Sequence, residues 1–416
     1  MRTRRVLGGK RYDVRVKAVA PAKQLSIPFN RPFTSGKEHD YMRQAIDNLQ
    51  ISGDGPFTGR CQQLLEENVG CSRALLTTSC TDALEMAALL LDIQPGDEVI
   101  VPSFTFVSTA NAFALRGAKP VFIDIRPDTL NLNEKALERL ITPRTKAIVP
   151  VHYAGVGCEM DSILEIASRH GVAVVEDNAH GLFGRYRGKN LGTFGQLATL
   201  SFHETKNISC GEGGALLIND LKHLERAEVF RSKGTNRNRF VRGQVDKYTW
   251  VNLGSSFLPS DLLAAFLCAQ LEAREDIQNR RERIWHSYHA HLKAWSCEHG
   301  VGLPLVPPHC NQAFHMFYLI LPCLQDRQAL IQHLLKSGIS AVFHYVPLHL
   351  SDMGQRLGGF AGQCPVTEDI SDRLLRLPFF NDLAQSQQDA VVDALLEFDG
   401  WTKQPEFARG TGSASF

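Results

Sequence analysis

Short apolar runs alternate with amphipathic segments between residues 74 and 177 of the chain. The apolar runs predict strands at residues 74–77, 98–102, 120–124, 146–152 and 173–177. The amphipathic segments predict helices at residues 82–91, 108–115, 133–141 and 160–170, and a further helix is predicted before them at residues 58–68. Strands that alternate with helices form a mainly parallel sheet covered on both faces. The pattern therefore predicts an α/β fold.

The segments that directly follow the predicted strands carry polar and aromatic side chains. They are residues 78–81, residues 103–106, His152 and Asp177. In parallel sheets, ligands bind beyond the carboxyl ends of the strands. We therefore expect these groups to share one rim of the sheet.

The pattern changes after Asp220. A helix is predicted at residues 221–233, and the polar, arginine-rich residues 234–248 indicate a loop or hairpin over the site. A long helical stretch at residues 260–295 is followed by strands at 316–321 and 341–346 and by helices at 326–336, 367–375 and 385–397. We therefore expect a large α/β domain at residues 26–270 and a smaller α+β C-terminal domain at residues 271–400.

Composition excludes several classes of protein. The hydrophobic content of 44% and the charged content of 21% are ordinary for a soluble globular protein. A net charge of +1 gives no reason to expect a nucleic acid or a membrane surface as partner, and no apolar run approaches the length of a membrane span. The ten cysteines form no C-x-x-C pair, so we expect no metal site and reduced thiols in a cytoplasmic protein.

The two ends of the chain differ from the rest. Residues 1–25 are rich in Arg and Lys but lack the apolar segment of a secretory signal, so we expect a poorly ordered basic extension. Residues 401–416 end in small and polar side chains, and we expect a flexible tail.

A carboxylate and an amine each follow a predicted apolar strand. Asp177 ends the strand that begins at Ala173, and Lys206 lies shortly after the run that ends at Ser201. A pyridoxal phosphate site needs such a pair, because the amine forms a Schiff base with the aldehyde and the carboxylate keeps the ring nitrogen protonated. Taken singly, Asp177 is more easily read as a helix cap and Lys206 as a solvated amine. Only their combination favours the cofactor.

The turn at residues 78–81 joins a strand to a helix. Backbone N–H groups at the start of that helix, together with the Thr81 hydroxyl, would form an anion site. Plain N-capping by Ser79 or Thr81 explains the same residues equally well. Ser201 is a second hydroxyl that could reach the same anion, or it is an ordinary strand residue.

Other side chains could contact a flat ring or a substrate. Phe106 could stack on a ring, although aromatic residues at such positions more often belong to the core. His180 could hydrogen-bond a ring hydroxyl or Asp177, or it is a loop histidine with other partners. His344, Tyr345 and His349 flank a proline turn that could contact a substrate, or they are exposed residues at a strand end.

Four motifs occur in one order along the chain. They are P-S-F-T-F at 102–106, E-D-N-A-H at 176–180, S-F-H-E-T-K-N at 201–207 and G-E-G-G at 211–214. In this order they resemble the sugar aminotransferases of the DegT/DnrJ/EryC1/StrS family, and the resemblance extends over residues 27–398. It implies the type I fold of pyridoxal phosphate-dependent transferases, which is the fold of aspartate aminotransferase. It also implies a homodimer with shared active sites.

The resemblance also implies residue roles. Lys206 would be the Schiff-base lysine and Asp177 the partner of the ring nitrogen, which makes them the expected catalytic pair. The other expected cofactor contacts are Phe106 on the ring, His180 beside the ring oxygen, and Cys80, Thr81 and Ser201 on the phosphate. The dehydratase branch of the family has His where Lys206 stands, so that branch is disfavoured.

The implied reaction is transamination of a nucleotide-linked 4-keto-6-deoxyhexose by L-glutamate. Residues 242–250 and 342–345 are similar to a family member that aminates a dTDP-linked sugar of this kind. Arg237 could bind the substrate diphosphate, or it belongs to a solvated loop. The alternatives are an enzyme that makes a 4-amino-gluco or a 3-amino sugar and, from another class, a non-catalytic sensor that binds pyridoxal phosphate.

Overall fold

A seven-stranded sheet forms the centre of the protein in a computed structural model that describes residues 26–402. The expectations for residues 1–25 and for most of the tail at 401–416 lie outside the described residues. The strands in chain order are β1 (Arg73–Thr77), β2 (Glu98–Pro102), β3 (Lys119–Ile123), β4 (Thr145–Ile148), β5 (Ala173–Asp177), β6 (Arg185–Tyr186), β7 (Lys189–Asn190), β8 (Leu197–Ser201), β9 (Gly214–Ile218), β10 (Cys310–Asn311), β11 (Tyr318–Ile320), β12 (Val342–Phe343) and β13 (Leu374–Arg376).

The strand order of the central sheet is β1-β9-β8-β5-β4-β2-β3. β8, β5, β4, β2 and β3 pair in parallel, and β9 is antiparallel to both of its neighbours. The predicted mainly parallel α/β sheet is therefore confirmed. All strands except β9 end at the same edge, so the segments that follow them meet there.

Helices cover both faces of this sheet. The helices are α1 (Glu38–Asp47), α2 (Pro56–Val69), α3 (Cys80–Leu90), α4 (Ser108–Ala114), α5 (Met160–His170), α6 (Leu224–Arg231), α7 (Arg237–Val241), α8 (Asp261–Glu272), α9 (Arg274–His299), α10 (Leu324–Lys336), α11 (Asp352–Arg356), α12 (Pro365–Arg373) and α13 (Gln385–Leu396). Val99 and Val101 of β2 pack in the same core as α3, α4 and α6, whereas Ile100 packs in the core that contains α5. Both sets of alternate side chains are buried, which is why the strands read as continuous apolar runs.

A second sheet of three strands has the order β11-β13-β12. Its apolar side chains pack with those of α9, α10 and α13 in a separate core. Ile27 also lies in that core, and its amide donates to the carbonyl of Gly338 at 3.1 Å. The domain limits given above stay a prediction.

Some predicted elements have different boundaries. The segment at 133–141 forms two short 3-10 helices, Glu134–Ala136 and Glu138–Leu140, in place of the expected α-helix. The sequence pattern does not distinguish the two kinds of helix, because residues three apart share a face in both. The stretch at 260–295 divides at Ala273, which ends α8 and begins α9. The segment at 234–248 contains the short helix α7, and the helix expected at 367–375 gives way to β13 after Arg373.

Two hydrogen-bonded connections join the central sheet to α12. Asp124, just after β3, accepts bonds from the amide and the hydroxyl of Thr367, both at 2.8 Å. Ser103, just after β2, has its hydroxyl 2.6 Å from Nδ1 of His349, and Nε2 of His349 is 2.9 Å from Oε1 of Glu368. We call these contacts the α12 connections. They fix α12 against the edge of the sheet where the strands end.

Within residues 26–402, no helix combines the length and the apolar character that a membrane crossing requires. All ten cysteines are free thiols.

Candidate active site

The carboxylate of Asp177 is buried and held from two sides at the end of β5. Oδ2 accepts a hydrogen bond from the Thr109 hydroxyl at 2.7 Å, and Oδ1 accepts one from the Ala179 amide at 3.2 Å. The Thr109 hydroxyl is in turn 2.8 Å from that of Thr105. Because Thr109 donates to the carboxylate, Thr105 must donate to Thr109. This chain of hydroxyls fixes the orientation of the carboxylate.

The amine of Lys206 lies in the same region, half-buried in the turn after β8. Burial lowers the pKa of this amine to about 8, and the nearby Cys80 and Asp177 partly oppose that effect. The Cys80 thiol is 3.5 Å from the Thr199 hydroxyl, and burial raises the pKa of this thiol. The structure therefore brings together the amine, the carboxylate and the thiol that the sequence singled out.

The lowered pKa of Lys206 predicts how cofactor uptake depends on pH. An amine attacks an aldehyde only in its neutral form, and a pKa of about 8 in place of 10.5 makes that form common at mildly alkaline pH. In cofactor-free protein, the rate of pyridoxal phosphate uptake should rise with pH and reach half its maximum near pH 8, as followed by visible absorbance. Asp177→Asn should move the midpoint lower, because the carboxylate raises the pKa. A midpoint near 10.5 would show a solvated amine instead.

The start of α3 offers a site for an anion. Ser79 caps the helix, since its hydroxyl accepts a hydrogen bond from the Asp82 amide at 3.0 Å. Thr81 is thus not the cap, and its hydroxyl is 2.7 Å from that of Ser108 in the first turn of α4. The N-terminal end of a helix of this length attracts negative charge, and its first amides are free to donate.

Ser201 ends β8, which runs parallel to β1 and is separated from it only by the antiparallel strand β9, so Ser201 lies at the same edge of the sheet. In the sheet register, Gly214 lies between Ser201 and Thr77, which directly precedes the turn before α3. A Cβ atom on Gly214 would lie 2.4 Å from the Cys80 nitrogen, so only glycine permits this approach. The residues expected to hold a phosphate therefore lie around one short stretch of rim.

Three imidazoles lie beside the amine. The rings of His180 and His315 stack with centroids 4.3 Å apart, and the ring of His344 is 6.1 Å from that of His180. Nδ1 of His315 is 2.9 Å from Oδ1 of Asn207, and Nδ1 of His344 is 3.0 Å from the Tyr153 hydroxyl. Burial lowers the pKa of all three imidazoles well below the ordinary value, and the charge of Lys206 adds to this, so they are neutral near pH 7.

These groups match what pyridoxal phosphate would need. Nδ1 of His180 is buried and has no hydrogen-bond partner within the described part of the chain, so it is free for a ring oxygen. The side chain of Phe106 is 58% exposed, which leaves a face for a ring. Lys206, Asp177 and the start of α3 would supply the amine, the carboxylate and the phosphate site. We conclude that the residues present fit this cofactor.

The expected substrate contacts have different outcomes. His344 and Tyr345 adjoin the cluster, and the Tyr345 ring is 5.6 Å from that of Phe104. His349 is fully buried and engages Ser103 and Glu368 with its two ring nitrogens, so we correct its expected role from substrate contact to internal connection. Arg237 lies on α7, half-exposed and 3.7 Å from Asp54, and no contact among residues 26–402 links it to Lys206.

The sequence did not single out Thr109 or His315. Thr109 lies four residues after Thr105 of the P-S-F-T-F motif, so the spacing of two hydroxyl residues near a helix start was the available signal. His315 had no such signal, because its partner Asn207 is 108 residues away in the chain.

The chain matches the sequence model of the DegT/DnrJ/EryC1/StrS aminotransferase family over residues 33–396. It is 33% identical over 376 residues to an uncharacterized protein of Methanocaldococcus jannaschii, a match that covers 88% of this chain and 97% of that protein. The structure is similar to that of S. venezuelae DesV, with a TM-score of 0.80, 31% identity and coverage of 89% of this chain and 97% of the other.

The structure is also similar to the PLP form of the putative sugar aminotransferase Spr1654 from Streptococcus pneumoniae. The TM-score is 0.82 at 24% identity, with coverage of 89% of this chain and 97% of that one. At this identity, the likeness shows the fold alone.

Proposed function

The chain belongs to the DegT/DnrJ/EryC1/StrS aminotransferase family, whose members depend on pyridoxal phosphate, and from this premise we propose that it aminates a nucleotide-linked 4-keto-6-deoxyhexose with L-glutamate as donor. The proposed substrate is dTDP-4-dehydro-6-deoxy-D-glucose, and the proposed product is dTDP-4-amino-4,6-dideoxy-D-galactose. This is the reaction of dTDP-4-amino-4,6-dideoxygalactose transaminase of enterobacterial common antigen synthesis, which residues 242–250 and 342–345 resemble.

One observation carries the proposal of a catalytic role. A half-buried amine with a pKa lowered to about 8 lies beside a buried carboxylate, at the edge where parallel strands end. A structural lysine gains nothing from a loss of solvation, whereas a base works best when its pKa is close to the working pH. The fold is the type I fold of pyridoxal phosphate-dependent transferases, which agrees with a cofactor-dependent role for this pair.

When bound, pyridoxal phosphate supplies an aldehyde for the incoming amine and a ring that accepts electrons from the donor's α-carbon. Lys206 would hold the cofactor and, once displaced by the donor, would use its free amine to remove the proton from that carbon and deliver it again. Asp177, fixed by Thr109, would keep the ring nitrogen positively charged. The neutral imidazole of His180 would bind the ring oxygen through its free Nδ1.

The anion site has a separate part in the proposal. The N-terminus of α3, with the hydroxyls of Thr81 and Ser201 and the neighbouring Cys80, would anchor the phosphate. Phe106 would stack on the ring, and His344 and Tyr345 would border the space in which the sugar is held. A cofactor fixed at its phosphate, ring nitrogen and ring oxygen leaves only the aldehyde end free to react.

The same geometry serves related reactions. A 4-amino-gluco or a 3-amino sugar would require the same amine and carboxylate, with the sugar bound in another orientation. A non-catalytic sensor would bind the cofactor without using the base, and the lowered pKa of Lys206 argues against it. We also propose a homodimer with shared sites and a cytoplasmic location, where glutamate and sugar nucleotides are available.

The test is incubation of the holoenzyme with L-glutamate and a panel of keto-sugar nucleotides, followed by NMR of the product. The panel should include 3-keto and 4-keto sugars on dTDP, UDP and GDP. We expect the dTDP-linked 4-keto-6-deoxy sugar to be aminated at C4 with the galacto configuration. An amino group at C3, or the gluco configuration, would establish one of the related reactions instead. Loss of the cofactor's visible absorbance on addition of glutamate alone would exclude the sensor.

A further inference from the structure

The turn at residues 313–315 is hydrogen-bonded to the residue that follows Lys206 in the chain. The side chain of Asn207 is buried, and its Nδ2 donates to the carbonyl of Ala313 at 2.6 Å. Its Oδ1 is 2.9 Å from Nδ1 of His315. Because the Asn207 oxygen can only accept, Nδ1 of His315 carries the proton. The amide of Asn207 is therefore bonded at both ends to this turn.

The backbone of the turn is strained and is held in place from α9. Phe314 has a φ of 50°, a left-handed conformation that a bulky residue rarely adopts. Arg281 of α9 is buried, and its Nε donates to the carbonyl of Phe314 at 2.9 Å and its Nη2 to that of His315 at 2.6 Å. Strain that the surrounding structure maintains in this way is typical of functional sites.

The same turn packs against the loop that carries His180. The rings of His315 and His180 stack with their centroids 4.3 Å apart and their planes 20° apart. The amide of Ala313 donates to the carbonyl of Gly155 at 3.0 Å. A Cβ atom on Gly155 would lie 2.9 Å from that of Ala313 and 3.1 Å from the carbonyl oxygen of His180, so the contact requires glycine. One strained turn thus contacts both sides of the candidate active site.

We propose that the turn at residues 313–315 positions Lys206 and His180 for catalysis. Asn207 is the link to Lys206, and the stacked ring of His315 is the link to His180. This inference rests on the proposed function and adds Asn207 and His315 to it as positioning residues. A lysine amine extends from a flexible four-carbon chain, so it is placed only as well as the backbone that carries it. A displacement of about 1 Å from the productive geometry can lower a rate by about 10²-fold.

Replacement of Asn207 by leucine tests the proposal, because leucine has a similar size and forms none of these hydrogen bonds. In Asn207→Leu holoenzyme, kcat of the half-reaction with L-glutamate should fall roughly 10- to 100-fold, whereas the KM should change by less than about threefold. In cofactor-free Asn207→Leu, the pH midpoint of pyridoxal phosphate uptake should move from near 8 toward 10.5, because an amine that is no longer held inside regains its solvation. A merely structural role would lower stability and leave this midpoint unchanged.

His315→Phe is the second variant. It keeps a ring that can stack on His180 and removes the hydrogen bond to Asn207, so it should lower the same kcat roughly tenfold and move the midpoint in the same direction. The double variant should be no slower than Asn207→Leu, since both substitutions break one link.

Asn219→Leu is the matched control. The amide of Asn219 also donates to two carbonyls, that of Gly192 at 3.0 Å and that of Gly195 at 2.8 Å. Asn219 follows β9, whose end lies at the edge of the sheet opposite the candidate active site. Its replacement should leave both kcat and the uptake midpoint as they are in wild type.

Each outcome decides the question. An unchanged kcat with an unchanged midpoint in Asn207→Leu would overturn the inference, and so would a slower reaction with the midpoint still near 8. If the two effects multiplied in the double variant, Asn207 and His315 would act independently, which contradicts the proposed link. A wild-type protein that accepts an amino group from no amino acid would refute the proposed function, and the uptake midpoint, which requires no turnover, would still decide this inference. If Asn207→Leu does not fold, His315→Phe is judged by the same two measurements.

Discussion

Replacing Lys206 by alanine is expected to lower the rate of transamination by roughly 10⁴-fold or more, because one side chain supplies both the covalent attachment and the base. The amine is half-buried, and its pKa of about 8 suits it to both tasks. The measurement is the rate of the glutamate half-reaction in holoenzyme. Treatment with borohydride followed by mass spectrometry should show the cofactor attached to the peptide that contains Lys206 in wild type, and no attachment in Lys206→Ala.

Lys222→Ala is the control for this variant. Lys222 is exposed and pairs with Asp220 at 2.6 Å. It follows β9, whose end lies at the opposite edge of the sheet because β9 is antiparallel to its neighbours. Lys222→Ala should retain full activity. Added small primary amines should partly restore proton transfer in Lys206→Ala, and substantial activity in Lys206→Ala without them would refute the assigned role.

Asp177→Asn should reduce the rate by roughly 10²- to 10⁴-fold, since a buried charge pair with the ring nitrogen would lose one partner while the size of the side chain stays the same. The glutamate half-reaction is again the measurement, together with the pH at which the visible absorbance of the bound cofactor changes. Thr109→Val should have a smaller effect, roughly tenfold, because it removes one hydrogen bond to the carboxylate and leaves the charge.

A cofactor methylated on the ring nitrogen provides the control for this second prediction. Such a ring is positively charged without a proton, so it does not need the carboxylate. Activity of Asp177→Ala should therefore rise when the methylated cofactor replaces the natural one, whereas the wild type should gain nothing. If the two cofactors gave the same rate in Asp177→Ala, Asp177 would have a structural role.

The strands of the central sheet could be predicted from the sequence because they are buried on both faces. Val99, Ile100 and Val101 are all fully buried, so the strand appears as an uninterrupted apolar run. The direction of β9 could not be read in this way, because an apolar run contains no information on how its neighbours are oriented. Likewise, the break at Ala273 lies inside a stretch of good helix formers and depends on how α8 and α9 pack.

The site could be predicted where chemistry follows a strand directly, as at Asp177 and Lys206. It could not be predicted where a partner comes from a distant part of the chain. Thr109 is 68 residues from Asp177, and only the folded sheet brings the two together. His349 was misread for the same reason. Its ring nitrogens contact Ser103 and Glu368, which are 246 and 19 residues away in the chain, and the sequence around His349 does not indicate either contact.

The α12 connections have a consequence for how ligands enter and leave. Moving the small sheet and α12 away from the large sheet would break the bonds from Thr367 to Asp124 and would separate the imidazole of His349 from either Ser103 or Glu368. Each such loss costs about 1–3 kcal/mol, so a wide rigid-body opening would be rarely populated. We therefore expect reactants to exchange through small local movements at this edge rather than through rotation of the small sheet as a rigid body.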